Sequence, residues 1–138
     1  MNAARAWRVL AINPGSTSTK VGVFEGARPL VVTSIRHTAE ELSRFATIAE
    51  QRGYRTQLVR DAIAEAGIPL ADLDAFVGRG GGLAPMAGGV YCVNDVMLSD
   101  TRSGRWAKHP ATLGAQIAHE LATEQHRPAF IVNGPDTD

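Results

Sequence analysis

Two apolar runs, Val9 to Ile12 and Val21 to Phe24, flank a polar stretch, Asn13-Pro14-Gly15-Ser16-Thr17-Ser18-Thr19-Lys20. Their β-rich alternation predicts two strands joined as a hairpin, with the polar residues at its tip. Leu30 to Ile35 reads as a third strand. Thr38-Ala39-Glu40-Glu41 fits a capping box, so a helix is expected from there to about Glu50, with Leu42, Phe45, Ile48 and Ala49 on its buried face. A second helix is expected after Gly53, where Tyr54, Leu58, Val59, Ala62, Ile63 and Ala66 recur at helical spacing. Gly67 and Pro69 end it. Asp74 to Gly78 reads as a short buried strand that enters a glycine-rich turn, Gly78-Arg79-Gly80-Gly81-Gly82, and Val90 to Val93 as another strand. Residues 95–108 are expected to include a short helix. Pro110 suits the first position of a helix running to about Gln125, with Leu113, Ile117, Ala118, Leu121 and Ala122 facing inward. Ala129 to Val132 closes as a strand. Strands first, then strand and helix in alternation, predict an α/β fold: one mixed sheet flanked by helices in a single domain.

Composition narrows the function classes. A chain of 138 residues with 44% hydrophobic and 20% charged residues is ordinary for one globular domain. Fourteen basic residues balance fourteen acidic ones, so no global field draws the chain to nucleic acid or to an anionic membrane. No apolar run approaches the roughly 20 residues of a membrane span, and MNAARAWRVL lacks the long apolar segment of a secretory signal. Cys92 stands alone; with no intrachain disulfide to form, a reducing cytoplasm is the default expectation. Cys92 itself reads as a buried strand residue, since no signature sets a base beside it.

The hairpin tip carries the most specific chemistry. Gly15 is read as giving the loop conformational freedom and close approach to a ligand. The hydroxyls and amides are donors, and Lys20 adds one positive charge; together they suit phosphate oxygens. A P-loop is excluded, because Thr19 stands where its second glycine would precede the lysine. The residues after Lys20 also read as a strand rather than a helix. The plain alternative is a polar surface turn.

Arg79 lies in the glycine-rich turn directly after a strand, where α/β sheets tend to bind ligands, and a guanidinium forks onto a carboxylate or phosphate. The alternative is a glycine loop with a solvated arginine. His109 precedes the Pro110 helix and either adds a donor to an anion-attracting helix start or merely caps it. His37, His119 and His126 show no metal-ligand spacing, and His119 and Glu120 are expected on a solvated helix face. The Ser/Thr run lacks a nucleophile-elbow pattern, so covalent catalysis is not indicated.

Taken together, INPGSTSTKVGVFEG (12–26), Ile35-Arg36-His37 with Glu40-Glu41-Leu42, VGRGGGLAPMAGGVY (77–91) and HPATLGAQIA (109–118) resemble butyrate kinases. These are acetokinase-family members of the acetate and sugar kinase, actin and heat-shock chaperone superfamily. Acetate kinases are similar but more distant. The resemblance implies a ribonuclease-H-like lobe and reversible phosphoryl transfer from ATP to butanoate, with magnesium required, giving butanoyl phosphate and ADP. It further implies that Asn13 helps place the metal and phosphate, and that Ser16 and Ser18, with Gly15 and Lys20, grip phosphate oxygens. Arg79 would fork onto carboxylate or phosphoryl, and His109 would lie near the phosphoryl path.

The resemblance also implies a second, nucleotide-binding lobe, so residues 1–138 are expected to be the N-terminal lobe alone. The implied partners are a short-chain carboxylate, ATP, and a second copy or a complementing C-terminal lobe. Near its end the chain departs from the pattern: Asn133 stands where an aspartate is expected to organise the metal, followed by Asp136 and Asp138 after a Gly-Pro turn. Little or no activity is therefore expected of the chain by itself. The alternatives are an anion- or partner-binding half of a split kinase, or an acetate- or propionate-kinase-like enzyme.

Overall fold

The computed structural model of the chain describes residues 6–79, 89–103 and 109–133. The hairpin forms as the alternation predicts. β1 (Arg8–Pro14) and β2 (Ser18–Glu25) pair antiparallel from Arg8 opposite Glu25 to Pro14 opposite Thr19. A tight turn at Gly26, with a left-handed φ of 60°, sends the chain into β3 (Arg28–Arg36), antiparallel to β2. β4 (Ala75–Arg79) lies parallel to β1 on its other side. β5 (Gly89–Cys92) is an edge strand, antiparallel to β6 (Ala129–Asn133), which in turn runs parallel to β4. The sheet is therefore mixed and six-stranded, ordered β3-β2-β1-β4-β6-β5.

Helices α2 (Arg52–Glu65) and α4 (Leu113–Glu124) pack on the sheet face that carries Leu10, Ile12, Val21, Val23 and Phe76. Val59 and Ile63 of α2 and Leu113, Ile117, Ala118, Leu121 and Ala122 of α4 complete the core. Each buried aliphatic side chain contributes about 1.5–3 kcal/mol over its exposed state. α3 (Asp95–Ser103) packs on α4. Arg60 of α2 forks onto Glu124 of α4, and Arg52 pairs with Glu120, so Glu120 is ion-paired rather than simply solvated.

One contact between sheet and helix is made by backbone alone. A Cβ placed on Gly78 of β4 would lie 2.3 Å from the Gly114 carbonyl oxygen, and one on Gly114 would lie 2.7 Å from the Arg79 oxygen. The first turn of α4 thus rests directly on the end of β4. Gly78 is required for helix–strand packing, a different reason from the exposure of Arg79 that its glycine-rich surroundings suggested.

Other expectations are corrected. The capping box forms, with Thr38 and Glu41 exchanging hydrogen bonds, but α1 (Ala39–Leu42) is a single turn rather than a helix to Glu50. Side chains compete for the backbone just beyond it: the Ser43 hydroxyl donates to the Glu40 carbonyl (2.6 Å), and the Glu50 carboxylate accepts from the Ala46 amide (3.2 Å). Phe45 instead meets the Tyr54 ring, with centroids 5.3 Å apart, and Ala49 is exposed. α2 begins one residue before Gly53, and its most buried stripe is Arg55, Thr56, Val59 and Ile63. Cys92 is exposed on the edge strand rather than buried.

Candidate anion-binding site

Ser16 and Thr17 are exposed at the tip of the hairpin, which is closed by the Gly15 amide donating to the Ser18 carbonyl at 2.7 Å. Gly15 has no left-handed φ, and a Cβ there would make ordinary contact with Ser18. The conformational freedom expected of Gly15 is therefore not what the turn uses.

Strand alternation sets which side chains share a face. Asn13 lies opposite Lys20 across the hairpin. Ile12 is in register with Gly78, so Arg79, the next residue, continues the row beside Asn13. Asn13, Lys20 and Arg79 consequently project from one sheet face at one end, opposite the face covered by α2 and α4. Ser18 shares that face. Lys20 and Arg79 are exposed, and among the described residues no side chain pairs with either. Gly80, Gly81 and Gly82, the rest of that turn, lie outside the described residues.

His109 precedes the helical turn Pro110–Thr112, which packs on β1. Its Nδ1 accepts from the Ala111 amide at 3.0 Å, so it caps the turn. That bond also fixes the neutral tautomer: Nδ1 is the acceptor and Nε2 carries the proton. Capping and donation are thus compatible in one ring.

Beneath the hairpin tip lies a polar network that the sequence reading did not find. Arg55 is fully buried. Its guanidinium donates to the Gly15 carbonyl (2.7 Å), the Ser18 carbonyl (3.2 Å) and Thr19 Oγ1 (3.2 Å). Gln51 Oε1 accepts two further bonds from it, at 2.9 and 3.0 Å. No carboxylate pairs with this cation among the described residues. Burial pushes its pKa down, yet a guanidinium stays charged in proteins. Thr19 Oγ1 also lies 2.8 Å from Nε2 of buried His37, whose Nδ1 is 3.1 Å from the Tyr54 hydroxyl. Thr19 Oγ1 thus accepts from Arg55 while bonding His37, and the directions of the Thr19–His37 and His37–Tyr54 bonds follow the tautomer of the ring. Burial, then the Arg55 charge, holds the His37 pKa below its ordinary value, in keeping with a neutral ring.

The signal for Arg55 was present in the sequence: with Val59 and Ile63 it recurs every fourth residue, a charge on an apolar stripe. Thr19 likewise alternates with Val21 and Val23 on the inward face of β2.

The donors at the sheet end are amides, hydroxyls, an ammonium and a guanidinium, a set that fits an anion. It does not fit a magnesium ion, which needs oxygen ligands and favours carboxylates; among the described residues no three acidic, histidine or cysteine side chains gather. Asp136 and Asp138 lie outside the described residues.

No family model matches the chain. Butyrate kinase 1 of Clostridium acetobutylicum is 43% identical over 127 residues, which is 92% of this chain and 36% of the relative. A propionate kinase from Francisella tularensis subsp. tularensis SCHU S4 superposes with a TM-score of 0.53 at 14% identity, over 92% of this chain and 36% of that one. YeaZ from Pseudomonas aeruginosa gives 0.50 at 20% identity, over 92% of this chain and 44% of that one. The structural likenesses establish the fold alone: the helix-flanked mixed sheet shared by these proteins. The chain spans about a third of the length of the curated relative it matches. Sequence identity along nearly all of its own length makes it a homologue of that portion of butyrate kinase.

Proposed function

We propose that the chain supplies the phosphoryl- and carboxylate-gripping side of a butyrate-kinase-like site, which transfers the terminal phosphoryl of ATP to butanoate to give butanoyl phosphate and ADP. In that reaction a carboxylate oxygen forms a bond to the γ-phosphorus while the bond to the departing ADP oxygen breaks. Both reactants are anions, so the site must offset their repulsion and hold them in line. Lys20, with Ser16 and Ser18, holds phosphate oxygens at the hairpin tip. Asn13 orients them from the end of β1. Arg79 forks onto the carboxylate or the transferred group, and His109 donates its Nε2 proton in a hydrogen bond as charge develops.

The observation that carries this reading is the register that brings Asn13, Lys20 and Arg79 to one face at one end of the sheet. Homology to butyrate kinase supplies the acceptor class. The test is titration of the chain with inorganic phosphate, followed by phosphorus NMR. Lys20→Ala is expected to weaken binding about tenfold, the worth of one charge-assisted hydrogen bond. Equal binding by Lys20→Ala and the unsubstituted chain overturns the loop assignment. Trapping acyl phosphate as the hydroxamate, from ATP, magnesium and butanoate, reads turnover; no measurable product is expected from these 138 residues without the remainder of the relative's length.

A further inference from the structure

We infer that Arg55 is a positioning residue for the anion site: from beneath the hairpin it turns the loop carbonyls inward and leaves an unneutralised positive charge behind the bound phosphate. The inference rests on the phosphate reading of the hairpin tip and adds to it a residue that would not touch the ligand.

Three carbonyls of the loop are committed. Gly15 and Ser18 oxygens accept from Arg55, and Thr17 oxygen accepts from the His37 amide at 2.8 Å. A peptide's carbonyl and amide point in opposite directions, so drawing the Gly15 oxygen toward Arg55 faces the Ser16 amide away from it, while the Thr17 oxygen, held by the His37 amide, faces the Ser18 amide away from His37. That is the arrangement of an anion-binding concavity. A side chain that bonded the amides instead would make the loop repel phosphate.

The charge is a separate contribution. Buried arginines are ordinarily matched by a carboxylate, yet here all five bonds go to neutral oxygens: two carbonyls, a hydroxyl and the Gln51 amide, which takes two. The full unit charge therefore remains under the loop, where water does not screen it and its field reaches the ligand side. Gln51 is the residue that keeps it so, since a carboxylate at that position would accept the same bonds and cancel the charge.

That substitution provides the test, because it separates geometry from charge. Gln51→Glu retains an acceptor for Arg55 and is expected to leave hydrogen exchange of the Gly15 and His37 amides within about twofold of the unsubstituted chain, while weakening inorganic phosphate binding about tenfold. Arg55→Met is expected both to speed exchange at Gly15 and to weaken phosphate binding at least as much. Should Arg55→Met fail to fold, Gln51→Glu alone still decides. Phosphate affinity unchanged in Gln51→Glu overturns the charge role, and unchanged Gly15 exchange in Arg55→Met overturns the positioning role. If the unsubstituted chain binds no phosphate, the reading of the hairpin tip fails and takes the charge role with it; the exchange data still judge the clamp.

Discussion

Arg55 and Arg79 lie on opposite sides of the same sheet end and show two ways of placing a cation near an anion. Arg79 is exposed, carries no partner among the described residues, and follows a glycine that the fold needs for packing. Arg55 is fully buried with every bond spent on neutral oxygens. The exposed cation is available to a ligand and contributes little to folding. The buried one is unavailable to a ligand and is part of the folded structure.

The largest expected effect falls on the buried side. Arg55→Ala removes the donor to two loop carbonyls and to Thr19, and should cost about 3 kcal/mol or more of stability in denaturant unfolding. Arg79→Ala, measured the same way, should leave the unfolding midpoint unchanged within error; similar losses for both would erase the distinction. Thr19→Val keeps shape but removes the hydroxyl that bridges Arg55 and His37, with an expected loss of about 1–2 kcal/mol.

A third measurement uses pH. The folded pKa of His37 lies below the ordinary 6.5, so the unfolded chain takes up its proton first as pH falls. Stability should therefore be greatest above pH 6.5 and decline as pH falls below it toward the folded value. The groups facing the ring are Arg55 and Tyr54 from α2 and Glu41 from α1. Glu25, Glu41 and Glu124, all held below 4.5, lose their contributions only at lower pH, which separates the two ranges. Replacing His37 with Gln should flatten the slope just below pH 6.5; an unaltered slope would show that another group sets it. The smallest effect is expected from Lys20→Ala, which should alter phosphate binding and leave the unfolding curve in place.

The contrast between the two arginines also explains what could be read from the chain. The strands, the capping box and the α4 inner face were legible, because each is a local pattern: alternation, a three-residue reciprocal cap, a four-residue repeat. The helix expected to reach Glu50 stops at Leu42 because Ser43 and Glu50 offer the backbone other hydrogen bonds, and those depend on where the chain goes next. Arg55 escaped notice for a related reason. Its partners in the hairpin loop, Gly15, Ser18 and Thr19, are some forty residues away in sequence, and only Gln51 is near. Reading Cys92 as buried failed similarly, since the strand's place at the sheet edge is a property of the topology.

The meeting of Gly78 with Gly114 has a bearing on how mutational scans of this chain should be interpreted. Neither position tolerates even a methyl group, because main-chain atoms stand where it would go. A survey of substitutions would mark both as indispensable, and Gly78, one residue from Arg79, would be mistaken for part of the ligand site. Its intolerance instead measures how firmly the start of α4 is seated on β4.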